Sequence, residues 1–102
     1  MRKKPFTRWV LAFVNDIRNI PKKTELRHRE LEKKGVRIWV YDIDFNEEEV
    51  KRYKVPKAPY YIIMQHNKQG FNDGMFNEAY PVRRYRSLSS VENAVPWILS
   101  GT

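Results

Sequence analysis

The segment from Val36 to Met64 constrains the fold of this chain most, because three recognisable patterns follow one another in it. A strand pattern at 36–43 precedes an acidic helix start at Asn46, and a proline-rich turn then leads into a second apolar run at 60–64. Continuous runs of β-branched and aromatic residues are typical of strands that are buried in a sheet. The segment therefore predicts a strand, a short helix, a proline turn and a second strand.

The remaining elements are predicted from similar patterns. Residues 8–14 form a continuous apolar run, which we interpret as the first and central strand. Pro21 suits the first turn of a helix, where its missing N–H costs nothing, and Gly35 suits the end of that helix. Residues 79–86 are predicted to form an edge strand, because Pro81 cannot donate a hydrogen bond to an inner ladder.

The predicted helix at 21–34 is unusually polar. Its apolar residues are Leu26 and Leu31, so we expect a narrow contact with the core. His28 is expected to be solvated, because no residue at metal-ligand spacing accompanies it. The spacing also predicts two helical ion pairs on the exposed surface, Glu25–Arg29 and Glu30–Lys34.

Two helix starts carry capping signals. Asn46-x-x-Glu49 approximates a capping box for the short middle helix, and Ser89-x-x-Glu92 is a capping box for the last helix. Pro96 falls inside the last helix and is expected to kink it or to divide it in two.

Length and composition predict one domain. The 102 residues suffice for a single sheet-based core at 8–102, preceded by a basic arm at 1–7. The apolar run 9–14 is too short for a signal peptide or a membrane span. We therefore expect a soluble intracellular protein, free or bound in an assembly.

Positive charge is concentrated in the first third of the chain. The formal net charge is +8 at pH 7, and residues 1–35 contain eleven Lys/Arg against four Asp/Glu. Such a surface attracts phosphates, anionic lipid headgroups or an acidic protein face. It is equally expected of a solvated surface that only keeps the protein in solution.

The chain contains no cysteine. Disulfides, thiolate metal sites and thiol–disulfide exchange all require one, so they are excluded for this chain. Other catalysis would have to use His28, His66, Asp42 or Asp44, and none of them lies near a nucleophile or a glycine-rich phosphate loop. Asp42 and Asp44 are more simply explained as solvated residues at the end of a strand. We expect no catalytic residue, no metal and no cofactor.

The predicted order of elements resembles the core of the thioredoxin superfamily, an α/β fold of the form β-α-β-α-β-β-α with a four-stranded mixed sheet flanked by helices. Residues 41–46 are similar to the thioredoxin passage v-D-x-D-x-N, and residues 51–64 to a-x-x-Y-x-V-x-x-x-P-T-x-x-x-F. The resemblance implies a cis peptide bond before Pro59, although Tyr60 stands where thioredoxins usually have Thr.

The family's Cys-x-x-Cys motif would fall within 17–23, where this chain reads IRNIPKK. The chain therefore resembles a divergent, redox-inactive member of the superfamily. Thioredoxin-like proteins also pair an extended peptide with the backbone of the residue before the cis-proline, here Ala58. The resemblance implies a peptide groove bordered by Arg18, Asn19, Ile20, Pro21, Ala58 and Pro59. Alternatively, the cis-proline only builds the turn.

The favoured hypothesis is a non-catalytic interaction or structural module of a larger assembly, with an acidic or extended peptide as its protein partner. A loop at 66–78 offers three apolar residues that either fold back or contact the partner: Phe71, Met75 and Phe76. The alternative is a basic nucleic-acid-binding protein, in which Tyr85 could stack on a base. Its predicted contacts are Arg2, Lys3, Lys4, Lys22, Lys23, Arg27, Arg29, Arg83, Arg84, Tyr85 and Arg86.

Overall fold

A computed structural model describes residues 7–66 and 79–100 of the chain. In chain order the elements are β1 (Thr7–Val14), a 3-10 turn (Ile17–Asn19), α1 (Lys22–Lys33), β2 (Ile38–Asp42), α2 (Glu47–Arg52), β3 (Tyr60–His66), β4 (Tyr80–Tyr85), α3 (Leu88–Asn93) and α4 (Val95–Ser100). Each predicted strand is present. β2 is shorter than the predicted 36–43, and α1 is one residue shorter than predicted at each end.

The four strands form one mixed sheet in the order β2-β1-β3-β4. β1 is parallel to β2 and antiparallel to β3, and β3 is antiparallel to β4. The predictions of a central first strand and of an edge strand containing Pro81 are both confirmed. The peptide bond between Ala58 and Pro59 is cis. The α/β class and the mixed four-stranded sheet are therefore as predicted.

Alternate residues of the strands build a core layer on each face of the sheet. On one face, Val10, Ala12 and Ile63 pack against α1, α3 and α4, which contribute Leu31, Val91 and Ile98. On the other face, the core residues are Trp9, Leu11, Phe13, Ile62 and Met64, with Val50 and Tyr53 of the α2 region packed against them. Within the described residues, no helix is long and apolar enough to cross a membrane.

The orientation of α1 differs from the prediction at two residues. His28 is buried, with 6% of its surface exposed, and its ring meets that of Tyr61 edge-on at a centroid distance of 6.1 Å. Leu26 is 49% exposed. Since residues two apart lie about 200° apart around a helix, packing His28 and Leu31 on the sheet turns Leu26 outwards. The prediction of a solvated His28 and a core role for Leu26 was wrong.

The ion pairs within α1 are only partly as predicted. Arg29 contacts Glu25 at 2.6 Å, which confirms that pair, but Glu30 contacts Lys33 at 3.4 Å rather than Lys34.

Asn46 precedes α2 without capping it. Its Nδ2 donates to the Asp42 carbonyl oxygen at 2.8 Å, so the predicted capping box does not form. At α3 the cap is Ser87 rather than Ser89, because the Ser87 Oγ accepts a hydrogen bond from the Ser90 N–H at 3.3 Å. The predicted division near Pro96 is confirmed: α3 ends at Asn93 and α4 begins at Val95.

Candidate functional site

A cleft of about 470 Å³ opens at the end of the sheet where β1 and β4 finish and β3 begins. Four segments form its walls: the turn after β1, the first turn of α1, the start of β3 with the cis-proline, and the turn that leads into α3. The residues that line it are Val14, Asn15, Asp16, Asn19, Ile20, Pro21, Thr24, Arg27, Pro59, Tyr61, Ser87, Leu88 and Ser89.

Four of the six residues predicted to border a peptide groove line this cleft: Asn19, Ile20, Pro21 and Pro59. Arg18 lines a neighbouring cavity of about 310 Å³ instead. Ala58 lines neither cavity but directly precedes Pro59. Within residues 7–66 and 79–100, no hydrogen bond uses the N–H or the C=O of Ala58. Its backbone is therefore open to an external partner beside the cleft.

Two carboxylates shape the turn after β1. Asp16 Oδ1 accepts the Arg18 N–H at 3.1 Å and Oδ2 accepts the Asn19 side-chain amide at 2.6 Å, and these bonds lower the pKa of Asp16. Asp42 is buried at the end of β2, where its oxygens accept the N–H groups of Ile17 at 3.1 Å and Asp44 at 2.9 Å. The prediction that Asp42 meets water was wrong, because backbone donors replace the water. Its role is to hold the turn against β2.

An ion pair joins α1 to α3 at the cleft wall. Arg27 donates from Nε to Glu92 Oε2 at 2.9 Å and from a terminal nitrogen to Glu92 Oε1 at 2.5 Å, and it also reaches the Ser89 Oγ at 3.1 Å. The bond to Glu92 raises the pKa of Arg27, and the same bond lowers the pKa of Glu92. Because these residues are 65 positions apart, no local sequence pattern signals the pair.

The lining of the cleft is chemically mixed. It combines apolar groups, such as Ile20 and Leu88, with the hydroxyls of Thr24, Ser87 and Ser89. Burial raises the pKa of Tyr61, whose phenol therefore stays protonated at neutral pH. Among the residues that the structure describes, no group of three or more His, Cys, Asp or Glu side chains could hold a metal ion.

The predicted nucleic-acid contacts are distributed over several elements. Arg27 and Arg29 are paired with Glu92 and Glu25, whereas Lys22 and Lys23 are exposed at the start of α1. Tyr85 packs against the core of the sheet, and its hydroxyl accepts a hydrogen bond from Arg83 at 3.3 Å. This packing restricts the stacking on a base that the sequence suggested for Tyr85.

No sequence pattern selected Trp97, which the structure places against Arg83. The guanidinium of Arg83 lies 3.8 Å from the centre of its ring, and Arg84 donates to the Tyr53 carbonyl oxygen on the opposite face of the sheet. Arg86 is exposed after the end of β4. The remaining predicted site residues, Arg2, Lys3, Lys4, Phe71, Met75 and Phe76, lie outside the described residues.

Comparison with known proteins identifies the fold. No family model and no curated protein matches the chain. Among solved structures, the chain is similar to thioredoxin from Fasciola hepatica, with a TM-score of 0.57 and 22% identity over 89% of this chain and 80% of that one. It is also similar to oxidised thioredoxin from Plasmodium falciparum, with a TM-score of 0.59 and 14% identity over 88% of this chain and 79% of that one. The fold is thioredoxin-like, as the sequence patterns predicted.

Proposed function

We propose that this thioredoxin-like chain is a non-catalytic interaction module that holds an extended segment of a protein partner in the cleft beside Pro59 and works within a larger assembly. The observation that carries the proposal is the open backbone of Ala58 at the rim of a cleft of about 470 Å³. The chain has no cysteine, so the thiol chemistry of the thioredoxins that it resembles is excluded for it.

Backbone pairing supplies the main attraction in this proposal. The N–H of Ala58 can donate and its C=O can accept, as at the edge of a strand, so an extended peptide can pair with them in the manner of strand addition. Main-chain hydrogen bonds give such complexes affinity, and pockets for side chains give them specificity.

The lining of the cleft supports a partner with an apolar side chain at the paired position. Val14, Ile20 and Leu88 offer apolar surface, while Ser87 and Ser89 supply hydroxyls at the α3 side. The only described guanidinium in the lining, that of Arg27, is paired with Glu92. The carboxylate in the lining, that of Asp16, already accepts hydrogen bonds from Arg18 and Asn19. The partner is therefore held mainly by shape and backbone bonds at this cleft.

A binding experiment on the full chain tests the proposal. Decapeptides from a random array are screened for binding, and the best binder is titrated into ¹⁵N-labelled protein. We expect chemical-shift changes at the amides of Asn19, Ile20, Ala58, Tyr61 and Ser87. The substitution Ile20→Glu places a charge in the apolar wall and should weaken binding at least about tenfold, because an unpaired charge must be desolvated.

Leu26→Glu is the matched control, since Leu26 is 49% exposed on α1 and does not line the cleft. It should leave peptide affinity unchanged. Shift changes that avoid the cleft, or equal effects of the two substitutions, would contradict the proposal. Binding of random single-stranded RNA or DNA that falls steeply with salt, in the absence of peptide binding, would replace it with the nucleic-acid alternative.

A further inference from the structure

The outer edge of β4 is a surface distinct from the cleft. β4 is the terminal strand of the sheet, and no strand in the described part of the chain lies beyond it. Alternate backbone N–H and C=O groups of a terminal strand point away from the sheet and can pair with another chain.

This edge carries charge of one sign. Residues 79–91 contain three arginines and neither Asp nor Glu. Arg83, Arg84 and Arg86 are all exposed. The opposite edge of the sheet differs, because β2 and its flanks at 36–44 contain one arginine and two aspartates. The β4 edge of the sheet is therefore positively charged, whereas the β2 edge is not.

Arg83 is held in place by an aromatic contact. Its guanidinium carbon lies 3.8 Å from the centre of the Trp97 ring, and that of Arg8 lies 3.7 Å from the same centre. Both guanidinium groups therefore stack on the Trp97 indole. Cation–π attraction stabilises each contact, but the two cations repel. Burial, and next the charge of Arg83, lower the pKa of Arg8.

The positive charge of Arg83 is not neutralised by a described carboxylate. The ion pairs within residues 7–66 and 79–100 join Arg27 to Glu92, Arg29 to Glu25 and Lys33 to Glu30. A guanidinium that is fixed beside a second cation, and that lacks a carboxylate from the described chain, is a favourable contact for an external anion.

Arg84 is a second restrained arginine of β4, on the other face of the sheet. In the β3–β4 register Arg83 is opposite Ile63 and Arg84 is opposite Ile62, so the two side chains leave opposite faces. Arg84 donates to the Tyr53 carbonyl oxygen, which restrains its guanidinium near the edge. Restraint of both side chains lowers the entropy cost of binding.

We propose that the β4 edge binds an acidic, extended peptide segment of a partner protein as a fifth strand. Consecutive carboxylates of that segment point to opposite faces of the sheet, so that one contacts Arg83 and the next contacts Arg84. A peptide fits better than a nucleic acid, because its backbone N–H and C=O groups match those of the edge. Trp97 already stacks with two arginines, so less of its ring is available to stack on a base.

Two features limit the added strand to a short pairing. Pro81 has no N–H to donate, and the β3–β4 register shifts between Ile63 and Met64, which leaves Val82 as the extra residue of a bulge. The added strand therefore pairs with residues 82–85 of β4. A second copy of β4 is a poor occupant, because it would place arginines opposite arginines.

Fluorescence anisotropy with labelled hexapeptides tests this proposal on the full chain at low salt. The probe is Val-Thr-Glu-Glu-Val-Thr, and its control has Gln in place of both Glu residues. We expect the Gln peptide to bind at least about tenfold more weakly. Arg83→Gln and Arg84→Gln should each lower the affinity for the Glu peptide about threefold to fivefold, as expected for an ion pair near the surface.

Arg37→Gln is the matched control, because Arg37 is an exposed arginine directly before β2, at the opposite edge of the sheet. It should leave the affinity unchanged. Two probes N-methylated at adjacent residues test strand pairing: since only alternate N–H groups face β4, one methylation should abolish binding and the other should have little effect.

Three results would overturn the proposal. Equal losses with Arg37→Gln and Arg83→Gln would indicate unspecific charge attraction, and equal effects of the two methylations would exclude strand pairing. An oligothymidylate that binds more tightly than the Glu peptide, with the same dependence on Arg83, would identify a nucleic-acid site instead. Ile20→Glu separates this surface from the cleft, because it should not change binding of the Glu peptide.

Discussion

His28 shows how burial changes the chemistry of one residue. It lies between α1 and the sheet with 6% of its surface exposed, and its Nε2 has no hydrogen-bond partner within the described residues. Burial lowers its pKa from the ordinary 6.5; the negative charges of Glu32 and Glu92 oppose this effect, and the positive charge of Arg27 adds to it. The imidazole is therefore neutral in the folded protein at neutral pH.

We predict that His28→Leu removes part of the acid sensitivity of the fold. The unfolded chain protonates His28 near pH 6.5, whereas the folded chain does so only at lower pH. The unfolded state thus binds more protons in that interval, so the stability linked to His28 is full above about pH 6.5 and is lost as the pH falls through it. Leucine has no such linkage.

Urea unfolding of both proteins at pH 8 and pH 5.5 measures this effect. At pH 8 the variant should lie within about 1 kcal/mol of the parent, because an apolar side chain of similar size replaces an unsatisfied polar one. The stability lost between pH 8 and pH 5.5 should be smaller in the variant. An unchanged or steeper loss would contradict the assigned environment of His28.

At the scale of elements, the start of α3 depends on one hydroxyl. The Ser87 Oγ accepts the Ser90 N–H at 3.3 Å and lies 2.9 Å from the Ser90 Oγ. Ser89, which the sequence favoured because of Glu92, instead lies within the helix and contacts Arg27. The position of the cap matters for the cleft, since Ser87, Leu88 and Ser89 form its α3 side.

We predict that Ser87→Ala destabilises the protein by about 1 kcal/mol, which corresponds to a fall of roughly 4–8 °C in Tm for a domain of this size. Ser89→Ala should cost less than about 0.5 kcal/mol, because it removes one exposed contact. Ser87→Asp keeps an acceptor at the cap and should restore most of the stability. Differential scanning calorimetry measures all three, and a larger loss for Ser89→Ala would show that the cap is misplaced.

Local sequence patterns predicted the strands and helices well where interactions between near neighbours in the chain determine them. The strands follow from continuous apolar runs such as 8–14, and the break at Pro96 follows from the missing N–H of proline. The failures occur where a side chain had two possible partners. Asn46 could cap α2 or donate to the Asp42 carbonyl, and only the packed turn favours the carbonyl.

At the scale of the whole molecule, charge is weakly compensated. The chain has 20 Lys/Arg and 12 Asp/Glu, and three ion pairs occur within the described residues. All three are partly or largely exposed, so each is expected to contribute little to stability. Repulsion among the excess positive charges therefore destabilises the fold more than the ion pairs stabilise it. Added salt screens both effects, so the larger one, the repulsion, decides how stability changes.

We predict that Tm rises by about 2–5 °C when NaCl is increased from 20 to 200 mM, because salt screens repulsion among the excess positive charges. Scanning calorimetry at both concentrations provides the measurement, with KF as a control for the choice of salt. A fall in Tm would indicate that the ion pairs contribute more than the repulsion costs.

The sequence by itself determined the class of the fold, the order of its strands and helices, and the place of the proline turn. Apolar runs and prolines act through near neighbours in the chain, so a local pattern is enough to recognise them. The sequence also excluded thiol chemistry, because the chain has no cysteine. Only the tertiary structure decided the burial of His28, the pairing of Arg27 with Glu92 and the stacking of two arginines on Trp97. These contacts join residues far apart in the chain, so their energies depend on how helices pack on the sheet, which no local pattern encodes.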